Sequence, residues 1–137
     1  MEKYILIAED DEDDVMLMRS AFLDVFPTIR IEFVKDGVEL LEYLENIEDG
    51  RYPSLLVLDL NMPKKNGREV LADIHTKDYF SKFKTVILST TNKEATNFSL
   101  HEFAIHDFYV KPTSYEGLSE IVVNFCEIIG LSSAVRT

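Results

Sequence analysis

The stretch Ser54-Leu55-Leu56-Val57-Leu58-Asp59 is a short apolar run that ends in a carboxylate. Three other apolar runs also end in polar side chains: residues 4–8 are followed by Glu9 and Asp10, residues 86–88 by Ser89, and residues 108–110 by Lys111. In an open parallel sheet, functional groups collect at the carboxyl ends of the strands. The four runs therefore predict one polar pocket in which carboxylates, a hydroxyl and an ammonium meet.

The wider pattern predicts an α/β fold. Short apolar runs alternate with longer stretches of helical period, as in strand-helix units built around a parallel sheet. Strands are predicted at about 4–8, 30–34, 55–59, 85–89 and 107–110. The first, third and fourth are nearly all apolar, as expected for strands covered on both faces, whereas the second alternates like an edge strand. We expect a five-stranded parallel sheet with helices on both faces.

The intervening helices are predicted from apolar residues that recur every three or four positions. The stripes are Val15, Met18, Phe22 and Val25, then Val38, Leu41 and Leu44, and finally the apolar positions from Tyr115 to Ile129. Thr113 or Ser114 is expected to cap the last helix and Gly130 to end it. Weaker patterns cover about 67–77 and 93–103.

Length and composition suit one domain. The chain has 137 residues and is 46% apolar, which is enough for one core. We assign residues 1–130 to this domain and residues 131–137 to a short tail, with no output domain. The single cysteine, Cys126, excludes an internal disulfide and lies in an apolar helical stretch, where a small buried residue is expected.

Charge argues against two classes of partner. The net charge of −11 disfavours approach to nucleic acid and to an anionic membrane. The first ten residues carry four charged side chains, so they predict neither a signal peptide nor a spanning helix. We expect a soluble, cytoplasmic protein.

The side chains at the strand ends indicate phosphate chemistry. Carboxylate oxygens suit a hard divalent cation, and a lysine with a hydroxyl suits the oxygens of a phosphoryl group. The pocket therefore predicts a protein that handles phosphate with magnesium.

The order and spacing of these groups resemble the receiver domains of bacterial two-component response regulators. Ser89 follows Asp59 by 30 residues and Lys111 follows Ser89 by 22, spacings similar to those of small chemotaxis-type receivers. The resemblance covers nearly the whole chain. It implies the (βα)5 flavodoxin-like receiver fold.

Two motifs carry the resemblance further. The segment from Leu58 to Pro63, followed by Gly67, is similar to the family's phosphorylation-site signature, and Lys111-Pro112 is similar to its lysine-proline signature. Residues 5–15 look most like single-domain receivers related to the partners of cyanobacterial phytochromes.

The resemblance implies that Asp59 is the phosphoacceptor. Its carboxylate would attack phosphorus and form an aspartyl phosphate, a covalent chemistry open to aspartate. Asp10 and Asp59 would bind Mg²⁺ or Mn²⁺ directly, with the Asn61 backbone carbonyl as a third protein ligand. Glu9 would act through a metal-bound water. Reading Asp59 as a helix or turn cap is the alternative.

Lys111 and Ser89 are expected to contact the phosphoryl group. Lys111 would pair with a phosphoryl oxygen and balance Asp59 beforehand, with an ordinary surface lysine as the alternative. Ser89 would donate its hydroxyl, and the adjacent Thr90 is the alternative donor.

Phe108, Thr90, Thr91 and Pro112 are assigned to switching or tuning. Phe108 occupies the family's aromatic switch position, where a plain core phenylalanine is the alternative. Asn61 and Thr91 would border the water that approaches the phosphoryl group. Pro112 would fix the backbone after Lys111 through a bond that is commonly cis in the family.

The acidic run from Asp11 to Asp14 has a simpler explanation. Acidic groups in the first turn of a helix are favoured by its dipole, so most of these residues are expected to be solvated capping residues.

The resemblance implies a stand-alone response regulator that takes a phosphoryl group from a sensor histidine kinase. It would catalyse only its own phosphorylation and dephosphorylation. Its output would be a phosphorylation-dependent protein-binding surface or onward transfer to a histidine phosphotransfer protein. A homodimer through the last strand and helix is expected unless the core consumes that apolar stripe.

Two alternatives remain open. A haloacid-dehalogenase-type phosphatase would use the same aspartate and magnesium, but it places a second aspartate where this chain has Asn61. A receiver-like interaction module that is never phosphorylated is the other.

Overall fold

All five predicted strands are present in the computed structural model, which describes residues 2–90 and 103–131. They are β1 (Tyr4–Ala8), β2 (Arg30–Val34), β3 (Leu55–Asp59), β4 (Lys84–Ser89) and β5 (Asp107–Val110). Every neighbouring pair is parallel, and the order across the sheet is β2-β1-β3-β4-β5. The strand order reverses between β1 and β3, and the carboxyl ends at such a point border the crevice where ligands bind.

Burial of the strands follows the sequence pattern. β1 and β3 are buried along their whole length, and β4 is buried after its first residue. β2 and β5 form the two edges and are partly exposed. The prediction of buried first, third and fourth strands and of an edge position for the second is confirmed.

Four helices cover the described part of the sheet. They are α1 (Glu12–Val25), α2 (Gly37–Glu45), α3 (Gly67–Ile74) and α4 (Tyr115–Ile128), with a 3₁₀ turn at Asp78–Lys82. The helix predicted at 93–103 and the tail from residue 132 onward lie outside the described residues, apart from Phe103, which is in a turn. None of the helices within the described ranges is long and apolar enough to cross a bilayer.

Alternate residues of each strand supply two separate core layers. One layer joins the sheet to α2 and α3 through residues such as Leu6, Leu56, Leu40 and Ile74. The other joins the opposite face to α1 and α4, and its members include Ile7, Val57, Phe22, Val122 and Phe125. Both faces are therefore covered, as the α/β prediction required.

The predicted apolar stripes are correct for α1 and need revision for α2. Met18, Phe22 and Val25 are buried in α1. In α2, however, Val38 is 41% exposed, while Leu40 and Leu44 are buried.

The first residues of α2 explain why Leu40, and not Val38, faces the sheet. Asp36 caps the helix by accepting a hydrogen bond from the backbone N–H of Glu39, and Gly37 lies so close to the loop after β3 that a Cβ would overlap the carbonyl oxygen of Lys65. This contact fixes the face that α2 turns to the sheet.

The apolar stripe of the last helix, α4, is buried against the rest of the domain. Ser114 caps α4 by accepting a hydrogen bond from the Gly117 N–H, and Leu118, Phe125 and Cys126 are buried. Tyr115, predicted to belong to the stripe, is 41% exposed and donates a hydrogen bond to Asp24.

Candidate functional site

Asp59 is the last residue of β3, and its side chain is almost completely buried, with 3% exposed. One carboxylate oxygen, Oδ1, accepts a hydrogen bond of 2.9 Å from the backbone N–H of Asn61. The other, Oδ2, lies 3.2 Å from Nζ of Lys111. The turn after β3 is closed by a 3.1 Å hydrogen bond from the Gly67 N–H to the Leu60 carbonyl. Asp59 is thus fixed at the carboxyl edge of the sheet.

Glu9 and Asp10 lie beside Asp59 because they follow β1, the neighbouring strand. Glu9 is buried, and its Oε2 accepts a hydrogen bond from the Asp11 N–H at 3.1 Å. One ligand oxygen from each of Glu9, Asp10 and Asp59 lies within 4.8 Å of the other two. Three carboxylate oxygens this close together are suitable ligands for a hard divalent cation.

Lys111 completes the site from the end of β5. Its backbone N–H donates a 2.7 Å hydrogen bond to the carbonyl of Ser89, which joins it to β4. Its ammonium lies 2.8 Å from Oε1 of Glu9, 3.0 Å from Oδ2 of Asp14 and 3.2 Å from Oδ2 of Asp59. The side chain is 16% exposed, so these ion pairs are largely shielded from water.

The pKa values at the site reflect burial and these ion pairs. Burial is the main reason that the pKa of Glu9 is raised to about 7; the hydrogen bond from Lys111 opposes this rise and the charge of Asp59 adds to it. Burial by itself lowers the pKa of Lys111, but hydrogen bonds to Glu9 and Asp14 and the charge of Asp59 raise it above its ordinary value. Lys111 is therefore a permanent cation at neutral pH.

Ser89 and Thr90 occupy different environments at the end of β4. Ser89 is the last residue of the strand and is fully buried. Thr90 is exposed, and its hydroxyl accepts a 3.4 Å hydrogen bond from the side-chain amide of Asn61. Thr91, the third hydroxyl of this segment, lies outside the described residues. Ser89 and Thr90 are thus both placed at the strand end, with Ser89 on its interior side.

Phe108 and Pro112 flank the site on the β5 side. Phe108 is partly buried and packs against the core layer of α2 and α3. Pro112 lines a cavity of about 110 Å³ with Asp14, Lys111 and Tyr115. No peptide bond among the described residues is cis, so the Lys111–Pro112 bond is trans.

Two charged residues at the site were not singled out from the sequence. Asp14 departs from the expectation of a solvated cap, because it contacts Lys111. Arg68 lines an open cavity of about 610 Å³ together with Asp10 and Asn61. The position of Arg68 directly after Gly67 was the available signal, since the first turn of α3 faces the loop after Asp59.

Comparison with known proteins identifies the family of this chain. Residues 5–123 match the response regulator receiver domain. The chain belongs to the response regulator receiver family. The predicted (βα)5 receiver fold is therefore confirmed, and the matched relatives give no support to the phosphatase alternative.

Other receivers resemble this one over most of their length. The chain is 32% identical over 120 residues to the probable methanogenesis regulatory protein FilR2 of Methanothrix harundinacea, covering 86% of this chain and 77% of that protein. It is 28% identical over 123 residues to the response regulator Rcp1 of Synechocystis, covering 88% and 84%.

Solved receiver structures give the same result. The phosphorylated cyanobacterial phytochrome response regulator RcpA aligns with a TM-score of 0.80 at 31% identity, covering 93% of each chain. The Mn²⁺-bound form of Rcp1 aligns with a TM-score of 0.75 at 29% identity, covering 91% of this chain and 92% of that one. Divalent metal binding in a receiver so similar is consistent with the three-carboxylate cluster found here.

Proposed function

We propose that Asp59 is the residue that accepts the phosphoryl group from a sensor histidine kinase. The single observation that carries this proposal is the position of Asp59: it is a buried carboxylate at a strand end, 3.2 Å from the ammonium of Lys111 and within 4.8 Å of two other carboxylates. Transfer forms a bond between an Asp59 oxygen and phosphorus as the P–N bond of the phosphohistidine breaks. The bonding electron pair stays on the imidazole nitrogen.

Glu9, Asp10, Asp59 and the backbone carbonyl of Asn61 are the proposed metal ligands, with Glu9 acting through water. Mg²⁺, or Mn²⁺ in its place, would offset the repulsion among the carboxylates and neutralise charge on the transferring oxygens. The close approach of the acidic side chains supports this assignment, since a bound cation would lower the repulsion among three carboxylates so near one another.

Lys111 has the role of pairing with the phosphoryl oxygens. Its permanent charge and its shielding from solvent both strengthen an interaction with an anion. The cavity lined by Arg68, Asp10 and Asn61 leaves open space next to the site for an anionic donor. Asn61 and Thr91 would tune access of the hydrolytic water.

Ser89 and Phe108 are proposed to carry the response to phosphorylation. Ser89 would donate its hydroxyl to the new phosphoryl group, with Thr90 as the alternative donor. Phe108 is only partly buried, and it would turn inward in response. These shifts would bias a two-state surface around β4, β5 and α4.

The output of the domain has two candidate forms. The modified surface binds a downstream protein, or the phosphoryl group passes to a histidine phosphotransfer protein. The apolar stripe of α4 is buried in the core. A homodimer through β5 and α4 would therefore have to use the polar and partly exposed residues of these two elements. The homodimer stays a prediction.

The test is intact-mass measurement after incubation with phosphoramidate and Mg²⁺. We expect a labile adduct of one phosphoryl group that is absent in Asp59→Asn and absent when the metal is chelated. A folded wild-type protein that binds Mg²⁺ but forms no adduct would contradict the proposal and favour the unphosphorylated interaction module.

A further inference from the structure

We propose that Asp14 is a positioning residue that anchors Lys111 in the metal-loaded protein, an inference that rests on the proposed roles of Asp59 and Lys111. Asp14 belongs to the first turn of α1, in an acidic run that otherwise serves that helix's N-terminus. Asp11 is the cap of this run: its side chain accepts hydrogen bonds from the backbone N–H groups of Asp13 and Asp14. The Asp14 carboxylate instead reaches Lys111 across the site.

The number of donors on Lys111 supports a defined role for each partner. An ammonium carries three N–H groups. Three carboxylates, those of Glu9, Asp14 and Asp59, lie within 3.2 Å of this one. The ammonium donates hydrogen bonds to Asp14 and Asp59, and it forms an ion pair with Glu9.

Asp14 differs from the other two partners of Lys111 because it stands outside the metal cluster. Glu9 and Asp59 belong to the group of carboxylates that can hold a cation, and Asp14 does not. A cation bound by that group shares Glu9 and Asp59 with Lys111. Asp14 then remains the carboxylate whose charge is committed to Lys111 alone.

Anchoring matters because a lysine side chain is long and flexible. Fixing it in one position costs side-chain rotamer entropy. With Asp14 holding one N–H, the ammonium stays at the site while the N–H that faced Asp59 turns to the phosphoryl oxygen. Without Asp14, the resting lysine relies on Glu9 and Asp59 and competes with the cation for them.

Two matched substitutions separate the contact between Asp14 and Lys111 from the general effect of removing one negative charge. Asp14→Asn and Asp13→Asn each remove one negative charge from the first turn of α1, and Asp13 is exposed. Loss of a nearby negative charge should by itself favour reaction with an anionic donor. The anchor has the opposite effect: at saturating Mg²⁺, we expect Asp14→Asn to accept phosphate from phosphoramidate about three- to tenfold more slowly than Asp13→Asn.

Additional variants connect the effect to Lys111. Asp14→Glu keeps the charge and should recover part of the rate. In a Lys111→Met background, adding Asp14→Asn should change the rate no more than adding Asp13→Asn does. An Asp14→Asn rate equal to or above that of Asp13→Asn, in a wild type that is phosphorylated on Asp59, would overturn the anchor and leave the proposed function intact.

A second readout does not depend on phosphorylation. The ammonium resonance of Lys111 in the Mg²⁺-loaded protein, observed by nitrogen-15 NMR, should be protected from solvent exchange in wild type and in Asp13→Asn. In Asp14→Asn it should broaden or disappear. If wild type forms no adduct, the proposed function fails, and this signal alone decides the anchor: unchanged protection in Asp14→Asn overturns it.

Discussion

Gly67 lies against the backbone of Asp59 so closely that a Cβ on Gly67 would stand 2.8 Å from the Asp59 carbonyl oxygen. We expect Gly67→Ala to lower the free energy of unfolding by about 2 kcal/mol, because either α3 or the end of β3 must move. The same movement displaces the Asp59 carboxylate. Urea unfolding and the rate of phosphoramidate labelling measure the two effects.

Gly50→Ala separates loss of stability from displacement of the site. Gly50 has a φ of +68°, and a Cβ there would meet nothing within 4 Å, so alanine is strained at this position by its backbone alone. It should lose about 1 kcal/mol of stability and keep wild-type labelling. Labelling of Gly67→Ala at the wild-type rate would show that the contact with Asp59 is not needed for the site.

Ala104 has a φ of +53°, in the left-handed region that alanine rarely adopts. Ala104→Gly should raise the free energy of unfolding by about 0.5 to 1 kcal/mol, because glycine reaches this conformation without steric cost. Ala72→Gly, an exposed helical position in α3, should instead lower it by about 1 kcal/mol. Urea titration of the two variants beside wild type checks both signs.

Cys126 should be chemically inert in the folded protein. It is fully buried, and burial, with a contribution from Glu127, raises the pKa of its thiol to about 11. Because the thiolate is the reactive form, its fraction stays small until the pH nears that value. Ellman's reagent at pH 8 should label the protein only as fast as it unfolds, and at once in concentrated urea. Rapid labelling of the native protein would contradict the buried position.

Glu9 should make the stability of the metal-free protein depend on pH. Its pKa is raised from 4.5 to about 7 in the folded state, chiefly by burial. Between these values the folded state holds a proton that the unfolded state has lost, so this group's contribution to stability declines as the pH rises from about 4.5 to 7. Glu9→Gln cannot ionise and lacks that decline.

We therefore expect wild type to lose about 2 kcal/mol relative to Glu9→Gln between pH 5 and pH 8 in the presence of EDTA. Unfolding by urea at several pH values supplies the comparison. Parallel stability curves for the two proteins would show that Glu9 ionises at its ordinary pKa.

The sheet was predictable from sequence almost residue by residue, because strands buried on both faces leave a continuous apolar run. The ends of these runs also marked Asp59, Ser89 and Lys111, since the carboxyl edge of a parallel sheet is where polar side chains gather. The 3₁₀ turn at Asp78–Lys82 was not anticipated; it carries no periodic pattern.

What the sequence did not specify was the rotation of individual helices. Periodicity predicted that Val38 faces the sheet, but the close contact between Gly37 and Lys65 turns Leu40 inward instead. The same limit applied to Asp14. Composition explained an acidic first turn through the helix dipole, and only three-dimensional placement of α1 brings one of those carboxylates to Lys111.

Because α2 begins directly against the loop after β3, the two sides of the proposed phosphorylation site are held in different ways. Gly37 abuts Lys65, and buried Asp36 faces Lys64 at 3.6 Å, so that wall is braced by a helix end against backbone. On the opposite side, β4 pairs directly with β3, with Leu88 beside Asp59, and the Lys111 ammonium that follows β5 lies 3.2 Å from the Asp59 carboxylate. Asp59 thus has backbone-supported contacts on the α2 side and a long, flexible lysine on the β5 side, so we expect a change of charge at Asp59 to move the Lys111 side chain before it moves α2.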